Sequence, residues 1–401
     1  MQEMKPSPAT ARMLGAVAMT IAVLSVGLLS LASFAQAQDA TSIFQVAKTP
    51  NPQRNYSNDL FAVSASSPTD IWAVGLAAIH FDGKTWTGYP LPGIDGDIGS
   101  ELRGVAVISP TNAWAVGSFK TSPTTTGNLQ QWDGSAWSIS PPPSGTEGEI
   151  LQSITAISAS DIWVGGCIPA FLEHFDGSQW TYFALQDLSA VNESCITGIS
   201  VISPSDVWAV GWSSPRGGSY VTVTEHWDGT SWTFVPSPNV GTGDNQLNGV
   251  VALADDNVWA AGFSTAAPDG SAANQTLIEH WDGTSWTVVP SPNVAYGGQV
   301  RDNLLQGIVA VSSSDLWAFG YYEANPSGES GDIFSLAMQW NGTSWSVVPT
   351  PNPTEESMIN DPLYAGILTG PKSLWLVGAQ ELDVAKHTPA SGTLVLRTSR
   401  D

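Results

Sequence analysis

Apolar and polar residues alternate along almost the whole chain in short runs, each ended by Gly, Pro, Asp or Asn. Alternation with a period of two predicts strands, and the punctuating residues predict tight turns. The pattern also repeats. A phrase of the form Asp/Asn-x-Trp-Ala-Val-Gly recurs with its tryptophan at Trp72, Trp114, Trp163, Trp208, Trp259, Trp317 and Trp375, at intervals of 42 to 58 residues. A second phrase, fullest as His280-Trp281-Asp282-Gly283-Thr284-Ser285-Trp286, follows it six times. Periods of this size made of short β segments mean propeller blades. In the second repeat the predicted strands are 102–108, 113–119, 129–132 and 136–140, joined by turns at 109–112 and at Asp133-Gly134-Ser135. The expected fold is all-β, a seven-bladed β-propeller of four-stranded antiparallel blades at approximately 59–92, 101–143, 150–184, 194–240, 246–292, 304–352 and 362–399. The seventh repeat ends without a fourth strand, and segment 42–52 matches the fourth strand of the sixth. That N-terminal segment is expected to complete blade seven and close the ring, which removes exposed sheet edges.

The tight turns fall on one face of such a disc. The links 121–127, 213–220, 265–274 and 323–332 and the crossovers 93–100 and 293–302 vary in length and fall on the other, where a rigid scaffold carries specificity. Seventeen of the 18 tryptophans stand at repeat-equivalent positions, so they are expected to fill the wedges between blades. Trp212 stands off the repeat, with Arg216 beside it; Tyr321 and Tyr322 take the corresponding place in blade six, and Arg301 lies near the same face. Trp212, Arg216, Tyr321, Tyr322 and Arg301 are the candidate ligand-binding residues, with packing under a loop as the competing account.

Lys5 and Arg12, the apolar run 14–34 and Ala35-Gln36-Ala37 read as an export signal over 1–37, with a retained anchor as the alternative. Residues 38–401 then form a single domain. With 36 acids against 13 bases and a net charge of −23, nucleic acid and anionic membrane surfaces are excluded as partners. The expected setting is secreted or at a bacterial cell surface, as a monomer, with no membrane contact beyond the signal. Cys167 ends the second strand of blade three and Cys195 begins the first strand of blade four, and an exported chain is expected to join them as a disulfide.

Candidate chemistry is sparse. His80, His174, His226 and His280 occupy one position in four different blades and cannot converge on a metal; His387 alone is off the pattern. There is no Gly-x-Ser-x-Gly elbow and no His-Glu-x-x-His, so no catalytic residue is assigned. An acid stands 13 to 15 residues before each blade's tryptophan: Asp59, Glu101, Glu149, Glu193, Asp244, Asp302 and Asp361. At the mouth of a central channel these could hold Ca²⁺, which takes oxygen ligands, or they are simply polar loop ends. No other cofactor is expected.

The two repeated phrases resemble those of secreted bacterial β-propeller proteins grouped loosely with kelch and galactose-oxidase-like propellers. The resemblance implies the fold and leaves the function open. The kelch Gly-Gly doublet stands only at Gly165-Gly166, the histidines do not supply a galactose-oxidase-like copper site, and the Asp-Gly-Thr-Ser-Trp turn is one residue shorter than the Asp-box of sialidase-like propellers. The expectation is a non-enzymatic binding propeller for a carbohydrate or another extracellular macromolecule, glycan or protein. The alternatives are a glycan-acting hydrolase using two rim carboxylates, and a structural cell-surface module. Sequons at Asn55, Asn192, Asn274 and Asn341 are expected to stay unmodified, because the signal looks bacterial.

Overall fold

The computed structural model describes residues 42–53, 56–93, 100–121, 124–141, 149–185, 193–215, 218–268, 272–324, 331–353, 360–382 and 391–398. Segment 1–37, read from sequence as an export signal, and Arg216, His387, Asn55 and Asn192 lie outside them. Each repeat folds as an antiparallel sheet with its strands in chain order. The first consists of Leu60–Ser67, Asp70–Gly75, Ala78–Phe81 and Trp86–Tyr89. The second is Glu101–Ser109, Asn112–Thr121, Thr124–Trp132 and Trp137–Ser140, and the fifth and sixth begin with Asn245–Ala254 and Asn303–Ser312. The third and fourth, which begin with Ile150–Ser158 and Glu193–Ser203, join into one eight-stranded sheet where Cys167 pairs with Cys195. In the last sheet Phe44–Val46 lies outside Ser391–Thr398, with Phe44 opposite Thr398, followed by Ser373–Glu381 and Leu363–Gly370. Among the described residues no helix is long and apolar enough to cross a membrane.

Two segments differ from the sequence reading. The third strand of the second repeat begins at Thr124 rather than at 129, and that of the sixth at Asp332, within a segment read as loop. Thr125 and Thr126 pair across to Lys120 and Phe119, so β-branched residues that resemble a polar linker extend the hairpin instead. The crossover 293–302 also holds an exposed hairpin, Ala295–Tyr296 with Gln299–Val300.

Turn chemistry sets the register between third and fourth strands. The Asp133 carboxylate accepts the Ser135 and Ala136 amides at 2.8 and 2.9 Å, and Asn341 does the same for Thr343 and Ser344 in the sixth repeat, both at 2.9 Å. The glycine that follows takes the left-handed backbone this turn requires, with φ of 95° at Gly134 and 92° at Gly342.

Tryptophans then bind one repeat to the next. Trp72 packs its ring 4.8 Å from Trp132 and 5.1 Å from Trp137 of the following repeat. Trp163 meets Trp227 and Trp232 in the same way, Trp208 meets Trp281 and Trp286, and Trp259 meets Trp340 and Trp345. Trp317 packs edge-on to Phe44 at 5.7 Å, and Trp375 of the last sheet lies 5.1 Å from Phe81 and 5.7 Å from Trp86 of the first. Each such pair adds about 0.5–1.5 kcal/mol beyond its buried area. The repeat histidines serve this layer: His174 stacks on Trp163 at 4.3 Å and bonds Asp161 at 2.8 Å, and His80 and His226 bond Asp70 and Asp206.

Buried acids lie just before those histidines on the third strands. Glu173 is fully buried with neither carboxylate oxygen hydrogen-bonded, and burial, reinforced by the charge of Glu149, pushes its pKa from 4.5 up to about 8. Burial also raises Glu279 to about 8, with the Ser237 hydroxyl acting in the other direction. The native state therefore holds protons that the unfolded chain releases near 4.5. That contribution is complete below the unfolded value and is lost as pH rises toward 8, by up to about 1.4 kcal/mol per pH unit for each group. Chemical denaturation across this range is expected to show stability falling with pH, and Glu173→Gln is expected to flatten the slope.

Candidate functional site

The first strands of the repeats surround one cavity of about 750 Å³. They come close because the residues facing their neighbours are small. A Cβ on Gly249 would stand 2.8 Å from the Gly307 Cα, and one on Gly198 would stand 3.3 Å from the Gly249 Cα. Ala62, Gly104, Ser153 and Ala365 take the equivalent positions in other repeats.

Just before that small residue, every first strand carries a β-bulge. Leu102 pairs with Gly117 and Gly104 with Val116, so Arg103 is the extra residue; Leu60 and Ala62 leave out Phe61 in the same way. The shift recurs at Gln152, Thr197, Asn248, Gln306 and Tyr364. A bulge re-aims its side chain, and all of these residues line the cavity. Beside them on the second strands stand Trp212, Phe263 and Tyr321, at the same register in three consecutive repeats, opposite Cys195, Gln246 and Leu304.

The wall is polar but internally balanced in charge. Arg103 donates through Nε to Glu101 at 2.7 Å, with Nη2 at 2.6 Å from the same oxygen, and its guanidinium lies 4.3 Å above the Phe61 ring. Phe61 in turn packs edge-on to Tyr364 at 5.1 Å. Burial raises the pKa of the Tyr364 phenol, reinforced by Asp59 and Tyr321, and burial raises Tyr321 as well, reinforced by Asp302 and Glu323. Thr197 donates to the Leu247 carbonyl at 2.6 Å and Asn248 to that of Leu305 at 2.8 Å, so these two side chains also tie adjacent repeats. The Cys167–Cys195 disulfide closes the wall between the third and fourth repeats.

The candidates read from sequence divide accordingly. Trp212 and Tyr321 line the cavity, and Trp212 also packs against Tyr220 at 4.5 Å. Tyr322 belongs to the core: strand alternation turns it to the other side, where it is 9% exposed and stacks on Phe334 at 5.3 Å. Arg301 is outside the cavity wall, with its charge acting on Glu323.

Of the acids before the first strands, Glu101 reaches the cavity wall, and others staple one repeat to the next. Asp244 accepts the Tyr220 amide at 2.8 Å and Asp302 that of Asn274 at 2.8 Å, while Asp59 accepts the Ser391 hydroxyl. The Asp361 amide donates to the Ile333 carbonyl at 3.0 Å. Glu149 lies close enough to Glu173 to raise its pKa, and Glu193 is exposed on its strand. Among the described residues no three His, Cys, Asp or Glu side chains are grouped so as to hold a metal ion.

The residues that sequence reading passed over are Phe61, Gln152, Gln306, Tyr364 and Phe263. A signal was present: the frame Leu/Ile-x-small recurs as Leu60-Phe61-Ala62, Leu102-Arg103-Gly104, Leu151-Gln152-Ser153 and Leu305-Gln306-Gly307, with only the middle residue free to vary.

No protein-family model matches the chain, and no curated protein matches it by sequence. Solved structures do. YCF48 bound to D1 peptide matches with a TM-score of 0.55 at 15% identity, over 90% of this chain and 96% of that one. The GH74 xyloglucanase from Xanthomonas campestris matches at 0.56 and 13% identity, over 84% of this chain and 53% of that one. A PL25 ulvan lyase bound to -[GlcA(1-4)Rha3S]- matches at 0.57 and 10% identity, over 88% of this chain and 95% of that one. These neighbours are β-propeller proteins, and the likeness shows the fold: the chain is a β-propeller.

If the acids act as staples, Asp302→Ala should cost about 1–2 kcal/mol of stability, and Ca²⁺ should leave the melting temperature of the parent protein unchanged. Thermal melts with Ca²⁺ and with chelator check both; a rise with Ca²⁺ would support the acids as a cation site.

Proposed function

We propose that this chain is an exported, seven-bladed propeller closed by its N-terminal strand, and that it works as a non-enzymatic binding protein. Its ligand, a carbohydrate or another extracellular macromolecule, enters the axial cavity. The observation that carries this reading is the bulge repeated in every first strand, which aims a different side chain from each repeat into one polar, aromatic-walled space. A volume of about 750 Å³ suits a ligand pocket. Packing of Trp375 on Phe81 and Trp86 supports closure, and the Cys167–Cys195 bond fits an oxidising compartment outside the cytosol. Structural neighbours described as bound to a peptide, as a xyloglucanase and as a polysaccharide lyase agree with a ligand of either kind.

Hydrolysis of a glycan needs two carboxylates facing across a cleft. Glu101 is paired to Arg103, and the strongly perturbed Glu173 and Glu279 are buried within the sheets, away from the cavity wall. Binding without turnover is therefore favoured.

Screening the purified mature protein on glycan and peptide arrays, followed by product analysis, tests this reading. Retention of a ligand without cleavage, lost in Phe263→Ala, is expected; cleavage would transfer the case to the hydrolase, and silence on both arrays to a structural module. Closure has its own test: removing residues 42–52 should lower the melting temperature by several degrees, and an unchanged melt would refute it.

A further inference from the structure

The chemistry of the cavity wall narrows the ligand class, given that the cavity is the binding site. Among the described residues the two charged side chains in the wall, Glu101 and Arg103, bond one another, so a charged ligand would have to compete with an existing ion pair. The remaining polar side chains among these wall residues are uncharged, four carboxamides beside serine, threonine and tyrosine hydroxyls and one indole. Gln152, Gln246 and Gln306 line the cavity from three different repeats, and their side chains have no hydrogen-bond partner among the described residues. A carboxamide offers a donor and an acceptor together. A carboxylate or sulfate could use only the donor half and an ammonium only the acceptor half, whereas a hydroxyl uses both.

The aromatic residues add a shape. Trp212, Phe263 and Tyr321 stand at one register in adjacent repeats, forming an arc along one side of the cavity. Flat aromatic faces in an arc suit a chain of rings whose C–H faces are apolar and whose edges carry hydroxyls. The net charge of −23 acts in the same direction, since it repels acidic polymers at a distance.

We infer that the ligand is a neutral oligosaccharide, held by stacking on the arc of Trp212, Phe263 and Tyr321 and by paired hydrogen bonds from its hydroxyls to Gln152, Gln246 and Gln306. Its affinity depends little on salt, because no ion pair with the ligand is formed.

Isothermal titration of the mature protein with cellohexaose, xylohexaose and maltohexaose, with hexagalacturonate, and with a mixed-sequence peptide library tests the inference. The expected result is binding of at least one neutral hexasaccharide, unchanged from low to high salt. Trp212→Ala and, separately, Gln306→Leu should each weaken it by about tenfold or more while circular dichroism and melting temperature stay those of the parent. Gln306→Leu keeps the test open if Trp212→Ala fails to fold. Salt-sensitive preference for hexagalacturonate, or capture of peptides that Trp212→Ala abolishes, would overturn the neutral-sugar inference and leave the cavity as the binding site. If a ligand binds with no sensitivity to either substitution, or if nothing binds, both the inference and the cavity reading fall.

Discussion

A four-stranded sheet of this size has two apolar faces and cannot cover either of them alone. The tryptophan on the second strand of each repeat resolves this by reaching the aromatic residues on the third and fourth strands of the next, as Trp72 does with Trp132 and Trp137. Stability therefore resides between repeats more than within them, and each repeat is held in place by the one that follows. The histidine stacked on the same ring and bonded to the start of the second strand, as His174 is between Trp163 and Asp161, fixes the rotation of that wedge. At the ends of the chain the same contact is made between distant segments, Trp317 on Phe44 and Trp375 on Trp86.

The wedge layer has a consequence at the axis. Once the outer parts of the sheets are spaced by tryptophans, the first strands approach until backbone meets backbone, as at Gly249 and Gly307. Small residues are required there, and a bulge immediately before them releases one residue per repeat from the ladder. That residue lies outside the ladder, so its chemistry varies from repeat to repeat while the frame stays constant, and at Thr197 and Asn248 it also ties neighbouring repeats. Core packing and cavity lining are thus divided between adjacent positions: Leu102 fills the core, Gly104 permits close approach, and Arg103 faces the cavity.

Much of the architecture was legible because the same physics recurs in each repeat. The Asp-Gly turns, the wedge tryptophans, the structural histidines and the pairing of Cys167 with Cys195 all follow from residue type and position in the repeat. The cavity-lining residues were only partly legible. Trp212 and Tyr321 stood out as aromatics beyond the repeat, but Tyr322 shares a strand with Tyr321, and alternation alone decides which of the two faces the core. Gln152, Gln306 and Tyr364 were hidden because a bulge shifts the alternation by one residue, and strict period-two reading assigns the wrong side after it. The acids before the first strands were visible as a set, but their partners differ, from the backbone amides of Tyr220 and Asn274 to the Ser391 hydroxyl and the Arg103 guanidinium, and no spacing rule reveals them.

The central claim is that aromatic wedges bind each repeat to the next, including the last to the first. A double-mutant cycle on Trp86 and Trp375, read by chemical denaturation, addresses it most directly. The account predicts a coupling of about 0.5–1.5 kcal/mol between two residues separated by most of the chain. Additive single effects, with no coupling, would contradict it.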